Sequence, residues 1–240
     1  DAYTTMKRAN IKKNLLENWF TVQDVNAAAG VELYNLYGYT WKNEQELYFN
    51  NGRQFCVYNP TTKKGKKLAD LAEDAENATL EPTTGHVAFT RSNNLYIQGA
   101  DGEKIIVTSN EDKGIVSGQT FARSEFGITN GIFWSPKGNH LAFYQKDESG
   151  VYEYPLLNTN ETPALLMPTR YPMAGQTSEK PKVGIYHLTT KKTIFIQPRG
   201  AADDYLTNLS WTPDEQYVII AEVNRDQNHM WLNLYDAKSG

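Results

Sequence analysis

FARSEFGITNGIFWSPKGNHLAFY, running from Phe121 to Tyr144, decides how this chain is read. Its second half is a compact unit. Trp134-Ser135-Pro136 enters a polar turn at Lys137-Gly138-Asn139, and an apolar strand, Leu141-Ala142-Phe143-Tyr144, follows. Proline presets φ for such a turn and glycine tolerates positive φ, so the turn has a mechanism. The first half differs in kind. Glu125 sits between Arg123-Ser124 and Phe126-Gly127, in a segment too irregular to be a core strand.

The unit recurs along the chain. Leu80 to Val87, Trp134 to Leu141 and Trp211 to Val218 are each seven residues apart, and Trp41 to Leu47 is six. In each, a bulky residue precedes a polar turn and an apolar strand comes next. Pro82, Pro136 and Pro213 stand just after three of the four bulky positions. Self-similar units of several short strands are the signature of a β-propeller. The expected fold is therefore all-β: a partial β-propeller with about four to five blades visible. Unit starts near 41, 80, 134 and 211 give spacings of 39, 54 and 77 residues. The first suits a four-stranded blade of ~40–50 residues. The other two require insertions, with 145–180 the obvious one. Such insertions are either binding elements on one face or plain surface loops. A propeller must close to protect its edge strands. The blades therefore form a small ring or part of a larger one.

The flanking regions are less regular. Ile11, Leu15, Leu16, Trp19 and Phe20 would suit one helix face, but two strands, around Tyr3–Met6 and Ile11–Leu16, are the favoured reading. Thr21 to Gly30 reads as a connector. The 15 Tyr, 9 Phe and 5 Trp can fill a large core and favour strands. A net charge of −4 argues against nucleic acid as the main partner. Lys63-Lys64-Gly65-Lys66-Lys67, with Asp70, Glu73, Asp74 and Glu76 close behind, reads as a solvated hairpin turn. Cys56 is the only cysteine, which excludes an internal disulfide and a cysteine metal site. No apolar run approaches the ~18 residues of a membrane span. No signal peptide is visible, and the expectation is a processed terminus or a segment boundary. Three glycosylation sequons, at Asn77, Asn160 and Asn208, are short enough to arise by chance.

The chemistry-bearing residues are sparse. His86, His140, His187 and His229 form no paired metal motif, so neither a metal nor another cofactor is expected. No G-x-S-x-G nucleophile elbow occurs. From its residues alone the chain is a binding or gating module without a catalytic constellation, and Glu125 is a turn residue or an ion-pair partner of Arg123.

The run Arg123-Ser124-Glu125-Phe126-Gly127-Ile128, with Gly131, Trp134 to Asn139, Leu141 to Tyr144 and Asp147-Glu148-Ser149, resembles the propeller of the dipeptidyl peptidase IV family of serine exopeptidases. Tyr154-Pro155, Arg170 to Gly175, Pro181-Lys182-Val183 and the opening Tyr3-Thr4-Thr5 continue the likeness, which is nearest the bacterial prolyl tripeptidyl aminopeptidase branch. The resemblance implies an N-terminal piece, residues 1–240, of an eight-bladed propeller, with a C-terminal α/β-hydrolase outside this chain that carries the triad. It implies that the chain alone is inactive. It implies a peptide substrate with a free N-terminus, held through its α-amino group by propeller acidic residues, and release of di- or tripeptides after proline. Dipeptidyl members carry a Glu-Glu pair here. Ser124-Glu125 carries over only Glu125, which suits the tripeptidyl branch, with Arg123 as an orienting neighbour. An exported, periplasmic or cell-surface enzyme and a homodimer are further implications. The alternative is a non-enzymatic propeller that scaffolds protein partners or binds a ligand.

Overall fold

The computed structural model describes residues 3–240; the side chains of Arg123 and Ser124 fall outside what it describes. The chain divides into two compact units: the residues up to Arg91 with Tyr96–Ile106, and Ser92–Leu95 with Val107–Gly240.

The first unit opens with an antiparallel hairpin, β1 (Thr5–Asn10) and β2 (Leu15–Thr21). Strands are present as expected, but shifted: Ile11 lies in the exposed turn between them, and Phe20 enters the core. The expected connector after Thr21 is instead a helix, α1 (Val22–Ala29). Thr21 and Asp24 cap it reciprocally. The Thr21 N–H donates to Asp24 Oδ2 at 2.7 Å and the Asp24 N–H donates to Thr21 Oγ1 at 3.3 Å. Gly30 ends it in the left-handed region at φ 67°. Only Val22, Val25 and Ala29 are buried, so the apolar stripe is short, and its alanines resemble linker composition. That face packs with Phe20, Leu47, Phe49, Cys56 and Tyr58. Burial pushes the Cys56 thiol up to about 12.

Four-stranded sheets follow. The first is β3 (Thr40–Trp41), β4 (Leu47–Asn50), β5 (Gln54–Asn59) and β6 (Lys64–Asp70). The second is β7 (Glu76–Leu80), β8 (Val87–Arg91), β9 (Asn94–Gln98) and β10 (Lys104–Ile106). In the second unit, β11 (Ile115–Ser117), β12 (Ile132–Trp134), β13 (His140–Asp147), β16 (Lys180–His187) and β17 (Lys192–Phe195) form one sheet. Between β13 and β16 projects a separate hairpin, β14 (Glu153–Asn158) and β15 (Leu165–Arg170). A three-stranded sheet, β18 (Tyr205–Trp211), β19 (Tyr217–Val223) and β20 (Met230–Asp236), completes the unit.

The repeat has a structural meaning. Trp41 pairs with Leu47, Leu80 with Val87, Trp134 with Leu141 and Trp211 with Val218. The bulky residue closes the strand that enters each turn, and its apolar partner is the first or second residue of the strand that leaves it. Both long spacings are accounted for as well. The β14–β15 hairpin fills the gap before 211, and the residues between β11 and β12 leave the sheet in the gap before 134.

Candidate functional site

The residues between β11 and β12 carry Glu125. Both strands lie along the same edge of β13. β11 pairs with Gln145 to Asp147, and β12 pairs with Leu141 to Phe143. They are one edge strand, interrupted. The break is pinned at Tyr144: the Gly118 N–H donates to the Tyr144 carbonyl at 2.7 Å, and the Tyr144 N–H donates to the Gly131 carbonyl at 3.0 Å. At the neck the chain crosses so closely that a Cβ on Gly131 would run into the Gln119 backbone. Tyr144 is buried, with Phe121 and Phe133 edge-on to its ring.

Beyond the neck the chain forms a short 3-10 helix, Ala122–Gly127. Ala122 (φ 50°) and Phe126 (φ 54°) both adopt the left-handed region, which side-chain-bearing residues avoid. Each such residue costs roughly 1–3 kcal/mol and persists only where its surroundings hold it. The surroundings are visible. Phe126 packs on Tyr205 with ring centroids 4.7 Å apart, and the Arg225 guanidinium stands 4.9 Å over the same Tyr205 ring. Glu125, one residue before the anchored Phe126, is left exposed.

Glu125 lines a cleft of about 700 Å³ within the second unit. The cleft is lined mainly by polar groups. Lys146 and Glu148 come from the end of β13 and just beyond it, Arg170 from the end of β15, Glu179 from the approach to β16, and Asp203, Tyr205 and Arg225 from around β18 and β19. Lys146 Nζ lies 2.9 Å from Glu148 and 3.6 Å from Glu179. Arg170 donates to the Glu148 carbonyl and lies 3.9 Å from the Glu153 carboxylate. Of the two residues singled out from sequence, Glu125 is in the cleft, and the Arg123 side chain lies outside the described residues. Lys146, Glu179 and Arg225 had no local signal, and Glu148 stood only within a block of family likeness. They join Glu125 only because the sheet brings distant segments together.

The comparisons agree with this architecture. A family model for the dipeptidyl peptidase IV (DPP IV) N-terminal region matches residues 37–240.

The chain belongs to the DPP IV N-terminal family.

Among solved structures, a Bacteroides ovatus protein described as a dipeptidyl aminopeptidase IV is 39% identical. It superposes with a TM-score of 0.86 over 99% of this chain and 34% of its own. Porphyromonas gingivalis dipeptidyl peptidase 4 shares the fold, with a TM-score of 0.74 at 19% identity over 98% of this chain and 37% of its own. A Fusarium vanettenii protein described as dipeptidyl-aminopeptidase B is 28% identical over 77% of this chain and 22% of that protein. The chain thus spans about a fifth of the length of the curated relatives it matches. For the DPP IV N-terminal domain, the strand arrangement above is that of the propeller seen in its structural relatives. Among the described residues, no helix is long and apolar enough to cross a membrane, and no group of three or more metal-ligating side chains comes together.

Proposed function

We propose that this chain is the substrate-gating, N-terminus-recognising domain of a serine exopeptidase, and that Glu125 anchors the α-ammonium of the bound peptide. One observation carries the reading. In a DPP IV N-terminal domain, a strained helix lifted off a broken strand presents one exposed carboxylate to a polar cleft. An α-ammonium with a pKa near 7.7–8.0 is mostly protonated at neutral pH. In an open, wet cleft its pairing with Glu125 is worth only about 0–1 kcal/mol. Once the peptide excludes water, deleting one partner of such a pair costs about 2–5 kcal/mol, or about 30-fold to several thousand-fold. The anchor also measures length, because it fixes which carbonyl reaches the nucleophile.

In this reading residues 1–240 are part of a propeller whose C-terminal α/β-hydrolase, in the same protein, supplies the nucleophile. The whole protein is exported to the periplasm or cell surface and releases di- or tripeptides, with cleavage after proline. Arg123 orients Glu125. The relatives described as dipeptidyl peptidases support the exopeptidase class. The single carboxylate of Ser124-Glu125 favours the longer, tripeptide product. Self-association belongs to the same reading, through the apolar β14–β15 hairpin.

The test uses the full-length protein with X-Pro and X-X-Pro chromogenic substrates, free and N-acetylated. Glu125→Gln is expected to lower kcat/KM on free-amine substrates by at least about 30-fold. It is expected to erase the preference over acetylated ones. An unchanged preference removes Glu125 as the anchor. The preferred length of the wild type names the product.

A further inference from the structure

We infer that Glu179 is the positioning residue for Glu125: it holds the entry of the 3-10 helix and so fixes where the anchor carboxylate stands. This rests on the reading of Glu125 given above. The first N–H groups of any helix lack partners within it. Phe121, at the cap position, supplies no side-chain hydrogen bond. The Ala122 N–H is instead taken by Glu179 Oε1 at 2.6 Å, from 57 residues further along the chain. Ala122 is also the left-handed residue that turns the chain into the helix, three positions before Glu125. The strained entry and its support are therefore the same contact.

The carboxylate that provides this support is itself fixed. Glu179 Oε2 lies 3.6 Å from Lys146 Nζ, which also pairs with Glu148 at 2.9 Å. The three side chains are only 17–20% exposed, so water screens them little. Lys146 stands on β13 opposite Pro181 of β16, and Glu179 immediately precedes β16, so the sheet register sets both ends of the pair. Both Glu179 oxygens have partners inside the chain. Although it borders the cleft, Glu179 acts on the helix rather than on a ligand. A charge-assisted acceptor of this kind is about twice as strong as a neutral one, which suits it to holding a strained turn.

The experiment uses the full-length protein, with Glu179→Ala and Glu179→Gln in the wild-type and Glu125→Gln backgrounds. Kinetics on free and N-acetylated substrates are read alongside the unfolding midpoint. Glu179→Ala is expected to raise KM for free-amine substrates roughly tenfold or more, with kcat little changed, since a small misplacement of an orienting group is costly. Glu179→Gln keeps an oxygen for the Ala122 N–H and is expected to recover most of that loss. In the Glu125→Gln background Glu179→Ala is expected to add nothing, because the two act as one unit. If KM is unchanged in Glu179→Ala while Glu125→Gln loses its free-amine preference, Glu179 is not the positioning residue and the anchor stands. Equal losses in both backgrounds likewise overturn the inference. If Glu125→Gln keeps its preference, the functional reading itself falls, and the inference with it. Should Glu179→Ala fail to fold, Lys146→Met decides: a severalfold rise in free-amine KM supports the inference and no rise overturns it.

Discussion

Glu215 shows how much one residue can be asked to do. It occupies the place in its turn that Gly138 occupies in the preceding one, four residues past the tryptophan, and like Gly138 it is left-handed (φ 66° against 73°). A glutamate accepts that strain because its carboxylate reaches the other turn. Lys137 N–H donates to Oε1 at 2.6 Å and Asn139 Nδ2 donates to Oε2 at 2.7 Å. Glu215 is 6% exposed. Burial alone would raise its pKa, but hydrogen bonds from Ser135, Asn139 and Lys137 outweigh that and hold it below the ordinary glutamate value. Glu215→Gly relieves the backbone strain yet leaves the donors of Ser135, Lys137 and Asn139 without their acceptor. The expected net loss is roughly 2 kcal/mol by denaturant unfolding. The pH sign follows from the lowered pKa. The Glu215 contribution is complete above its unfolded value of about 4.5 and fades as pH falls through the folded one. The variant's deficit should therefore be full at pH 7 and shrink in acid. A deficit that grows in acid would contradict this.

At the scale of the element, the interrupted strand is the decisive device. A continuous strand from Ile115 to Trp134 would have placed the intervening residues in the sheet, alternating between its faces. Breaking it at Gly118 and Gly131, with both ends tied to Tyr144, ejects a loop without losing the edge. Gly131 is essential to the neck because no Cβ fits against Gln119. Gly131→Ala should destabilise the protein by about 1–3 kcal/mol through overpacking. It should also raise KM for free-amine substrates as the Glu125 helix shifts. Measured together, a lowered unfolding midpoint with unaltered KM would mean the neck serves stability alone.

At the scale of the whole molecule, the β14–β15 hairpin stands out. It belongs to no larger sheet, and both its faces carry exposed apolar side chains: Leu157 is 62% and its partner Leu166 60% exposed, with Leu156 and Met167 paired beside them. Contiguous exposed apolar surface marks interaction sites. The full-length protein is therefore expected to self-associate through this hairpin. Sedimentation should show the double variant Leu157→Glu/Leu166→Glu shifted to monomer with its unfolding midpoint unchanged. A wild type that stays monomeric across the micromolar range would remove the hairpin from that role.

The repeat and its register were legible in the residues alone. A bulky residue, a polar turn and an apolar strand are local chemistry, and the pairs Trp134–Leu141 and Trp211–Val218 follow from turn geometry alone. The sequence also marked Glu125 as lying off the sheet, since the residues around it alternate in no strand-like way. It did not reveal α1, whose buried face is only three small or branched residues long. Nor did it reveal Glu179, Lys146 and Arg225 around Glu125, or Glu215 bridging two turns. The hydrogen bonds and the ion pair that place them join residues 21 to 78 positions apart. Contacts at such separations leave no periodicity in the chain. Only the stacking of strands from distant segments brings those charges within hydrogen-bonding reach, and that is a property of the tertiary structure.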